Sequence, residues 1–492
     1  MVRLTSTGAI TELAGGSITA ATLTGSSAGN ASFGQTGNQV ANLGAFATGN
    51  GDFTLTDGQA LNLTGLLNTG TGVVTLNSAG MITELPGASI MAGTLTGSSV
   101  GDASFDRVNQ LVNLGAFTTS VNGTFTLTNN PALTVAGPLN AAGDVRITVN
   151  IGDLTLVGNV TAGRSSNATL ASATGNITEA GDPVVTASGL NLDAPNGNVS
   201  LGIDGGTVFP ANANIVGTLT GTAGGTFGFL NATALTVGTI TGSAGDVLIQ
   251  VNNGQPLTLA GNITAGGRAI LDTGGGFSQI GTASVSAPVL AIDTTGSGVN
   301  TLLGFITLPS VNASAISNLP PAGKTSNPMQ FANLSAPNSV VLLFADRGAV
   351  TGTMSVAQLG LSGTGGSATL QGSINGVTGP TAALFGVREP GPEATYLFND
   401  CIIAAATCVV IPSALATQFL VTQPQTAGEL EILTVLPNLS AQVVLITPEV
   451  VRGVRQSEDP DAPVINVFDE ERLCDETAKS SQPARERCQE RR

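Results

Sequence analysis

The chain has 492 residues, of which 41% are hydrophobic and 10% are charged, and its formal net charge is -16 with no histidine. Nucleic-acid binding needs clustered Lys and Arg to neutralise phosphates, and no such cluster precedes residue 450, so the composition argues against a nucleic-acid partner and rules out a histidine metal site. Disorder requires lower hydrophobicity and more charge. Most of the chain is therefore expected to fold.

The first residues, Met1–Gly16, contain one Arg followed by polar residues and glycines. They lack the continuous apolar stretch of a signal peptide, and a sequence repeat begins only a few residues after Met1. Two interpretations follow. The chain is a cytoplasmic protein, or it is the C-terminal part of a longer exported protein from which the N-terminal part is missing, and we favour the second.

Residues 8–65 are repeated about 72 residues later. GAITEL at 8–13 returns as GMITEL at 80–85, TLTGSS at 22–27 returns at 94–99, NLGAF at 42–46 returns at 113–117, and FTLT at 53–56 returns at 125–128. A chain that repeats in register is normally a stack of similar units, each burying its apolar face on its neighbours.

Within the repeats, apolar and polar residues alternate, as in Leu133-Thr134-Val135 and in VRITV at 145–149. This period of two predicts strands with one buried face. Glycine, Asn or Asp follows almost every such run, which predicts tight turns. No stretch between Thr5 and Gly379 has convincing helical spacing, so helix is expected to be a minor component.

A second repetition has a spacing near 102 residues, because 132–150 resembles 234–252 and 154–163 resembles 257–266. A solenoid tolerates the insertion of a whole coil, since each coil contacts only its neighbours. Coils of roughly 20 to 24 residues and strands about 4.8 Å apart predict about 16 to 19 coils over residues 5–385. A β-sandwich array and a β-propeller are the alternative architectures.

The composition changes near Gly379, where prolines cluster and the single Tyr and all four Cys follow. We predict a β-helical rod at 1–385, a capping region at 386–455 and an acidic, charged and flexible tail at 456–492. The uncharged run Cys401–Val421 is long enough for a membrane helix. Pro412 and the β-branched pairs within it favour buried strands instead.

Glu12, Glu84 and Glu179 recur in the G-x-I-T-E element and are the best acid candidates. Coil spacing puts Glu12 and Glu84 roughly 14 to 19 Å apart, beyond the separation of paired glycosidase carboxylates, so we expect solvated turn residues. Asp346 and Arg347 are expected to form an ion pair at a strand end. The GGGF run at 274–277 lacks the helix and Lys of a phosphate loop. We predict no catalytic residue, no metal site and no cofactor.

Asn-x-Ser/Thr triplets occur about a dozen times, for example at Asn62, Asn159, Asn176 and Asn262. In repeats rich in these residues, Asn stacking inside turns is the simpler explanation, and glycosylation is the alternative. Cys401, Cys408, Cys474 and Cys488 are even in number and stand at the end of a chain with exported character, which favours disulfides. A bond between Cys474 and Cys488 would close a loop worth roughly 3 kcal/mol.

The combination of G-x-I-T-E, small-x-L-T-G and L-x-L-x-G-x-I-x-A-G repeats over residues 5–385 resembles the filamentous-haemagglutinin-like exoproteins of two-partner secretion. The run Tyr396–Cys401, with Cys408 and a Pro- and acid-rich tail, is similar to the ending of large members. The resemblance implies a right-handed parallel β-helix, export through an outer-membrane pore partner, and adhesion at the bacterial cell surface or release from it. The N-terminal secretion domain of that family is missing.

The resemblance also implies that Cys474 and Cys488 form a terminal loop that anchors the protein in its pore, with a structural disulfide or free thiols as the alternatives. The sequence therefore predicts a non-catalytic, secreted or surface-attached adhesin or structural exoprotein, whose host-surface, matrix or carbohydrate receptor is open. A carbohydrate-active β-helix enzyme, of the polysaccharide lyase or hydrolase type, is the alternative. A non-functional fragment of a broken gene is the third interpretation.

Overall fold

The computed structural model describes residues 1–204, 207–208, 213–252, 254–294, 329–346, 349–364, 369–371, 374–375, 420–421 and 432–433, with side chains in 1–203, 213–252 and 254–294. The predicted capping region, apart from two short strands, and the predicted tail lie outside the described residues. So do Cys401, Cys408, Cys474 and Cys488.

The described part is all β, and parallel strands stack into a β-solenoid of about 13 turns. The predicted parallel solenoid is therefore confirmed. Within the described residues no helix is long and apolar enough to cross a membrane. Of the run Cys401–Val421, only the last two residues are described, so the choice made for it between strands and a membrane helix stays a prediction.

The strands of the first part of the solenoid are β1 Val2–Ser6, β2 Ile10–Thr11, β3 Thr19–Ala20, β4 Leu23–Ser27, β5 Ala31–Phe33, β6 Gln39–Val40, β7 Asn42–Thr48, β8 Phe53–Asp57, β9 Leu61–Leu63, β10 Leu66–Asn68, β11 Val73–Ser78, β12 Ile82–Glu84, β13 Ser89–Val100, β14 Ala103–Ser120, β15 Phe125–Asn129, β16 Leu133–Val135, β17 Leu139–Asn140, β18 Val145–Val149, β19 Leu154–Leu156, β20 Val160–Thr161, β21 Asn167–Ser172 and β22 Ile177–Glu179.

The remaining strands are β23 Val185–Ala194, β24 Val199–Leu201, β25 Ile203–Asp204, β26 Thr207–Val208, β27 Ile215–Ala223, β28 Phe227–Asn231, β29 Leu235–Gly242, β30 Val247–Val251, β31 Leu257–Leu259, β32 Ile263–Ala265, β33 Arg268–Thr273, β34 Phe277–Gln279, β35 Val285–Ser286, β36 Val289–Asp293, β37 Met329–Asp346, β38 Ala349–Thr364, β39 Thr369–Gln371, β40 Ile374–Asn375, β41 Leu420–Val421 and β42 Ile432–Leu433. Two pairs, β25–β26 and β41–β42, are antiparallel.

A regular turn contains three strands, as β15, β16 and β17 show. Each pairs in parallel with the corresponding strand of the next turn, β18, β19 and β20. Phe125 pairs with Val145, and Val145 pairs with Ala168, which gives intervals of 20 and 23 residues. These intervals agree with the coil length predicted from the repeats.

The period of two decides which side chains enter the core. In β16, Leu133 and Val135 are buried in the interior while Thr134 faces outward, and the same alternation holds in β19. Fully burying one Leu or Val contributes about 1.5–3 kcal/mol. Phenylalanines recur with the repeat, because Phe33, Phe46 and Phe53 pack edge to face or tilted, and Phe105, Phe117 and Phe125 repeat the cluster.

The repeated Leu-Thr-Gly element marks the place where a new corner of the coil opens. At Leu23-Thr24-Gly25, Leu95-Thr96-Gly97 and Leu219-Thr220-Gly221, the register to the next coil shifts between the Leu and the Gly. One straight strand is thus followed by two shorter runs separated by a bend. A Cβ at Gly25 or Gly221 would meet the carbonyl of the preceding coil and the ring of Phe46 or Phe227, so glycine is required for this packing.

A corner closes again a few coils later. The number of residues that form the corner falls from coil to coil. Four residues lie between Glu84 and Ser89 in one coil, and two lie between Phe105 and Val108 in the next. In the coil after that, β15 runs straight through Leu127 and Thr128, with a register shift against β14. Corners of the solenoid thus open at Leu-Thr-Gly and close after a Glu, and both events recur 72 residues apart in the first two copies.

One outward row changes character along the solenoid. Thr134, Thr155, Thr178 and Ser200 occupy it first, and the pairing then continues through Gly228, Leu248, Ile270 and Ala291. Leu248, Ile270 and Ala291 are 0 to 2% exposed, although they point away from the interior core. Ile203 of the β25–β26 hairpin packs close over Gly228. Strands buried on both faces explain the continuous apolar runs of β30 and β36.

Candidate functional site

The glutamates that the sequence singled out lie at the closing corners. Glu84 is only 1% exposed, so the expectation that it is a solvated turn residue is wrong. Its Oε2 accepts hydrogen bonds from the Arg107 backbone N–H at 2.9 Å and from Asn109 Nδ2 at 3.1 Å, while Oε1 is buried and has no hydrogen-bond partner among the described residues. The alternation of β12 places Glu84 on the same inward face as Ile82, but the carboxyl itself suggested exposure, and the amide groups that accommodate it come from another coil.

Asn109 completes the corner. It is fully buried, its Oδ1 accepts from the Ile90 N–H at 2.7 Å, and its Nδ2 also donates to the carbonyls of Phe105 and Arg107. In the next coil Asn129 Oδ1 accepts from the Leu111 N–H at 2.8 Å. Unpaired backbone groups at a narrowing bend would be costly inside the protein, and these amides satisfy them.

We call this Glu–Asn–Asn/Asp arrangement a corner ladder. Three copies are Glu12–Asn38–Asp57, Glu84–Asn109–Asn129 and Glu179–Asn214–Asn231. Glu12 and Glu179 are partly exposed, unlike Glu84. The burial of the five asparagines was not predicted from the sequence. Their signal was present, because Asn38, Asn109 and Asn214 recur at spacings of 71 and 105 residues, close to those of the repeats.

Burial raises the pKa of both Glu84 and Glu179 to about 7, even though hydrogen bonds from Asn109 and the Arg107 backbone, and from the Gly202 backbone and Asn214, lower it. Burial also raises the pKa of Asp57. Such values suit a general acid. The Glu84 carboxyl is buried, however, and the hydrogen bonds that it accepts come from the scaffold itself.

The other candidates from the sequence are distributed as follows. Gly274–Phe277 forms the turn that leads into β34. Asp346 ends β37, whereas Arg347 lies outside the described residues, so their ion pair stays a prediction. In the part of the chain that the structure describes, no three His, Cys, Asp or Glu side chains gather to hold a metal ion.

Asparagines in the turns bond to the next coil, as predicted. Asn159, Asn176 and Asn262 accept hydrogen bonds through Oδ1 from the backbone N–H groups of Val184, Asn198 and Ser284 at 2.8 to 3.0 Å. Asn62 differs from the prediction, because it is the middle residue of β9 rather than a turn residue, and its Nδ2 donates to Asn42 Oδ1 of the preceding coil at 3.3 Å. These Asn-x-Ser/Thr positions therefore have a scaffold role in the stack.

The outer surface carries rows of short polar side chains at equivalent positions of successive coils. One row runs through Thr126, Arg146, Thr169, Asn191 and Thr220, which pair strand by strand. The later part of this row lines a groove with a volume of about 470 Å³ that extends across three coils, and we call it the hydroxyl groove. The groove is lined by Asn167, Ala168, Thr169, Ser188, Gly189, Leu190, Asn191, Thr218 and Thr220.

The polar groups of the hydroxyl groove differ from those of the turns. Thr220 Oγ1 donates to Asn191 Oδ1 at 3.0 Å. The side chains of Asn167, Thr169, Ser188 and Thr218, by contrast, make no hydrogen bond to another described residue. The Asn167 amide oxygen lies over Gly189, where a Cβ would come within 2.6 Å of it. The groove therefore offers uncharged donors and acceptors that the scaffold does not use.

No protein-family model matches this chain, and no curated protein and no solved structure is significantly similar to it.

Proposed function

We propose that the chain is a non-catalytic adhesin or structural exoprotein that works by displaying its outer surface along a β-solenoid rod. The observation that carries the proposal is the repetition of outward Thr, Ser and Asn side chains on successive coils, such as Thr134, Thr155, Thr178 and Ser200. Regular rows of weak polar contacts add up when many engage one extended surface.

The arrangement of charge and acid groups supports display over catalysis. Each glutamate of the corner ladders belongs to a separate corner and is bonded to scaffold amides. An enzyme that cleaves polysaccharides needs acid and base groups that reach the same bond. The uncharged hydroxyl groove lacks that pair among its lining residues.

The proposal includes the bacterial cell surface or the extracellular space as the location, and an outer-membrane pore of two-partner secretion as the export partner. Both rest on the resemblance of the repeats to filamentous-haemagglutinin-like exoproteins. Only 10% of the residues in the chain are charged, and the outer faces of the coils are polar. This composition suits a protein that is displayed at a surface, because display needs no cluster of catalytic charges.

Adhesion is tested with beads that carry the purified chain, applied to host cells and to extracellular matrix and washed under flow. We expect retention well above that of beads carrying an unrelated β-solenoid of similar net charge. Equal retention of the two bead types would contradict the proposal. Release of sugar ends from polysaccharides by the purified chain would contradict its non-catalytic part and support the carbohydrate-active alternative.

A further inference from the structure

The cations of the described side chains are few, and their positions are informative. Residues 1–294 contain five Arg and no Lys. Arg107 and Arg268 are paired with Asp106 and Asp246. Arg146 is exposed and forms no ion pair with another described residue, and it occupies the outward row directly beside Thr169 of the hydroxyl groove.

Resting on the adhesive function proposed above, we propose that the hydroxyl groove binds a polysaccharide whose sugars carry carboxylates, with one carboxylate on Arg146. The unengaged groups of Asn167, Thr169, Ser188 and Thr218 would bond the sugar hydroxyls. A guanidinium presents planar paired donors that match a carboxylate, so Arg146 adds preference for charged over neutral sugars.

The acidic neighbours of the groove determine where the charged group lies. Asp144 stands two residues before Arg146, and its Oδ1 accepts a hydrogen bond from the Asn167 backbone N–H at 2.8 Å. Asp193 faces outward two residues beyond Asn191, in line with Thr222 of the next coil. Its negative charge repels a carboxylate at that side. The charge of Asp144 is offset by the Asn167 N–H and the nearby Arg146, whereas β23 has no cation to offset Asp193. The ligand carboxylate is therefore placed at the Arg146 end, and the hydroxyls at the Asn191 end.

Binding is tested by calorimetry with an oligosaccharide of galacturonic acid and the matching oligosaccharide of galactose, using the full chain at low salt. We expect the acidic oligosaccharide to bind about tenfold more tightly, the value of one charge-assisted hydrogen bond. Arg146→Met should abolish this preference, while Asp193→Asn should strengthen binding of the acidic ligand. Thr75→Val, at an outward position of β11 on another row, is the matched control and should change neither affinity.

Asn167→Ala provides a second test, because the Asn167 side chain has no bond to lose in the fold. This variant should weaken the binding of both oligosaccharides by a similar factor, about three to ten. Equal affinity for the two ligands, an unaltered preference in Arg146→Met, or tighter binding of a sulfated oligosaccharide than of the carboxylated one would each overturn the proposal.

The same variants separate this proposal from the adhesive function. If beads carrying the parent chain adhere and those carrying Arg146→Met or Asn167→Ala adhere equally well, the ligand site is wrong and the adhesive function stands. If the parent beads do not adhere while the acidic oligosaccharide binds as expected, the adhesive function is wrong and the groove remains a binding site.

Discussion

Glu84 couples the stability of the solenoid to pH. Its pKa is about 7 in the folded protein because burial disfavours the carboxylate, whereas an unfolded chain has an ordinary glutamate pKa near 4.3. The folded state therefore binds the proton more tightly. The stabilisation is complete below the unfolded pKa and is lost as pH rises through about 7.

Glu84→Gln removes this titration while keeping an oxygen for the Arg107 N–H and a similar shape. The rise of the Glu84 pKa to about 7 corresponds to about 3.5 kcal/mol, so we expect the variant to gain up to about that much stability relative to the parent at pH 8, and none from this source at pH 4. Urea unfolding at both pH values measures the difference.

Glu179→Gln should behave in the same way, because the pKa of Glu179 is raised to the same value by the same cause. Asp193, which faces outward on β23, serves as the control, and Asp193→Asn should change stability far less than either. A difference between parent and Glu84→Gln that does not vary with pH would show that Glu84 is already ionised in the fold.

At the scale of the element, the glycine of each Leu-Thr-Gly strand lies inside the strand and lets two coils approach each other. Gly97 has φ +150°, a backbone conformation that residues other than glycine rarely adopt. A Cβ at this position would collide with the backbone of Leu76 in the preceding coil. The bend in the next coil depends on this contact, since the register between β13 and β14 shifts between Leu95 and Gly97.

Gly97→Ala is expected to destabilise the protein by at least about 3 kcal/mol, from backbone strain together with overpacking. Gly87→Ala is the matched control. Gly87 also has positive φ, at +91°, but nothing lies within 4 Å of its added Cβ, so only about 1–2 kcal/mol should be lost. Urea midpoints of the two variants give the comparison, and equal losses would mean that the close approach at Gly97 has no cost of its own.

Prediction from sequence succeeded best at this scale. The alternation in β16 and β18 and the recurring Leu-Thr-Gly elements indicated strands and their stacking. The corner ladder was missed because a polar residue such as Asn109 has no apolar period. Its burial follows only from the backbone groups that the narrowing corner would otherwise leave unsatisfied.

For the whole molecule, a solenoid predicts that one coil can be removed without loss of the fold, because each coil contacts only its neighbours. Residues 145–167 form one coil between Asp144 and Ala168, and Phe125 and Ala168 both pair with Val145. Deletion of 145–167 therefore allows β15 to pair directly with β21, with every inward side chain kept inward.

We expect this deletion variant to fold, with a β-sheet circular dichroism spectrum and a cooperative urea transition somewhat below that of the parent. Deletion of 145–155, about half a coil, is the control and should prevent native stacking, since the strands that follow would face the wrong neighbours. If the two deletions were equally damaging, nearest-neighbour stacking would not describe this protein.

The sequence by itself determined that the chain folds into stacked β coils, because the apolar period, the glycines and the in-register repeat all express local geometry that each coil imposes on the next. It also indicated the scaffold role of turn residues such as Asn176. Only the tertiary structure decided where corners open and close, that Glu84 is buried with Asn109, and that Thr169, Asn191 and Arg146 share one outward row. Those relations join residues on different coils, and their energies depend on burial and backbone hydrogen bonding that no local pattern encodes.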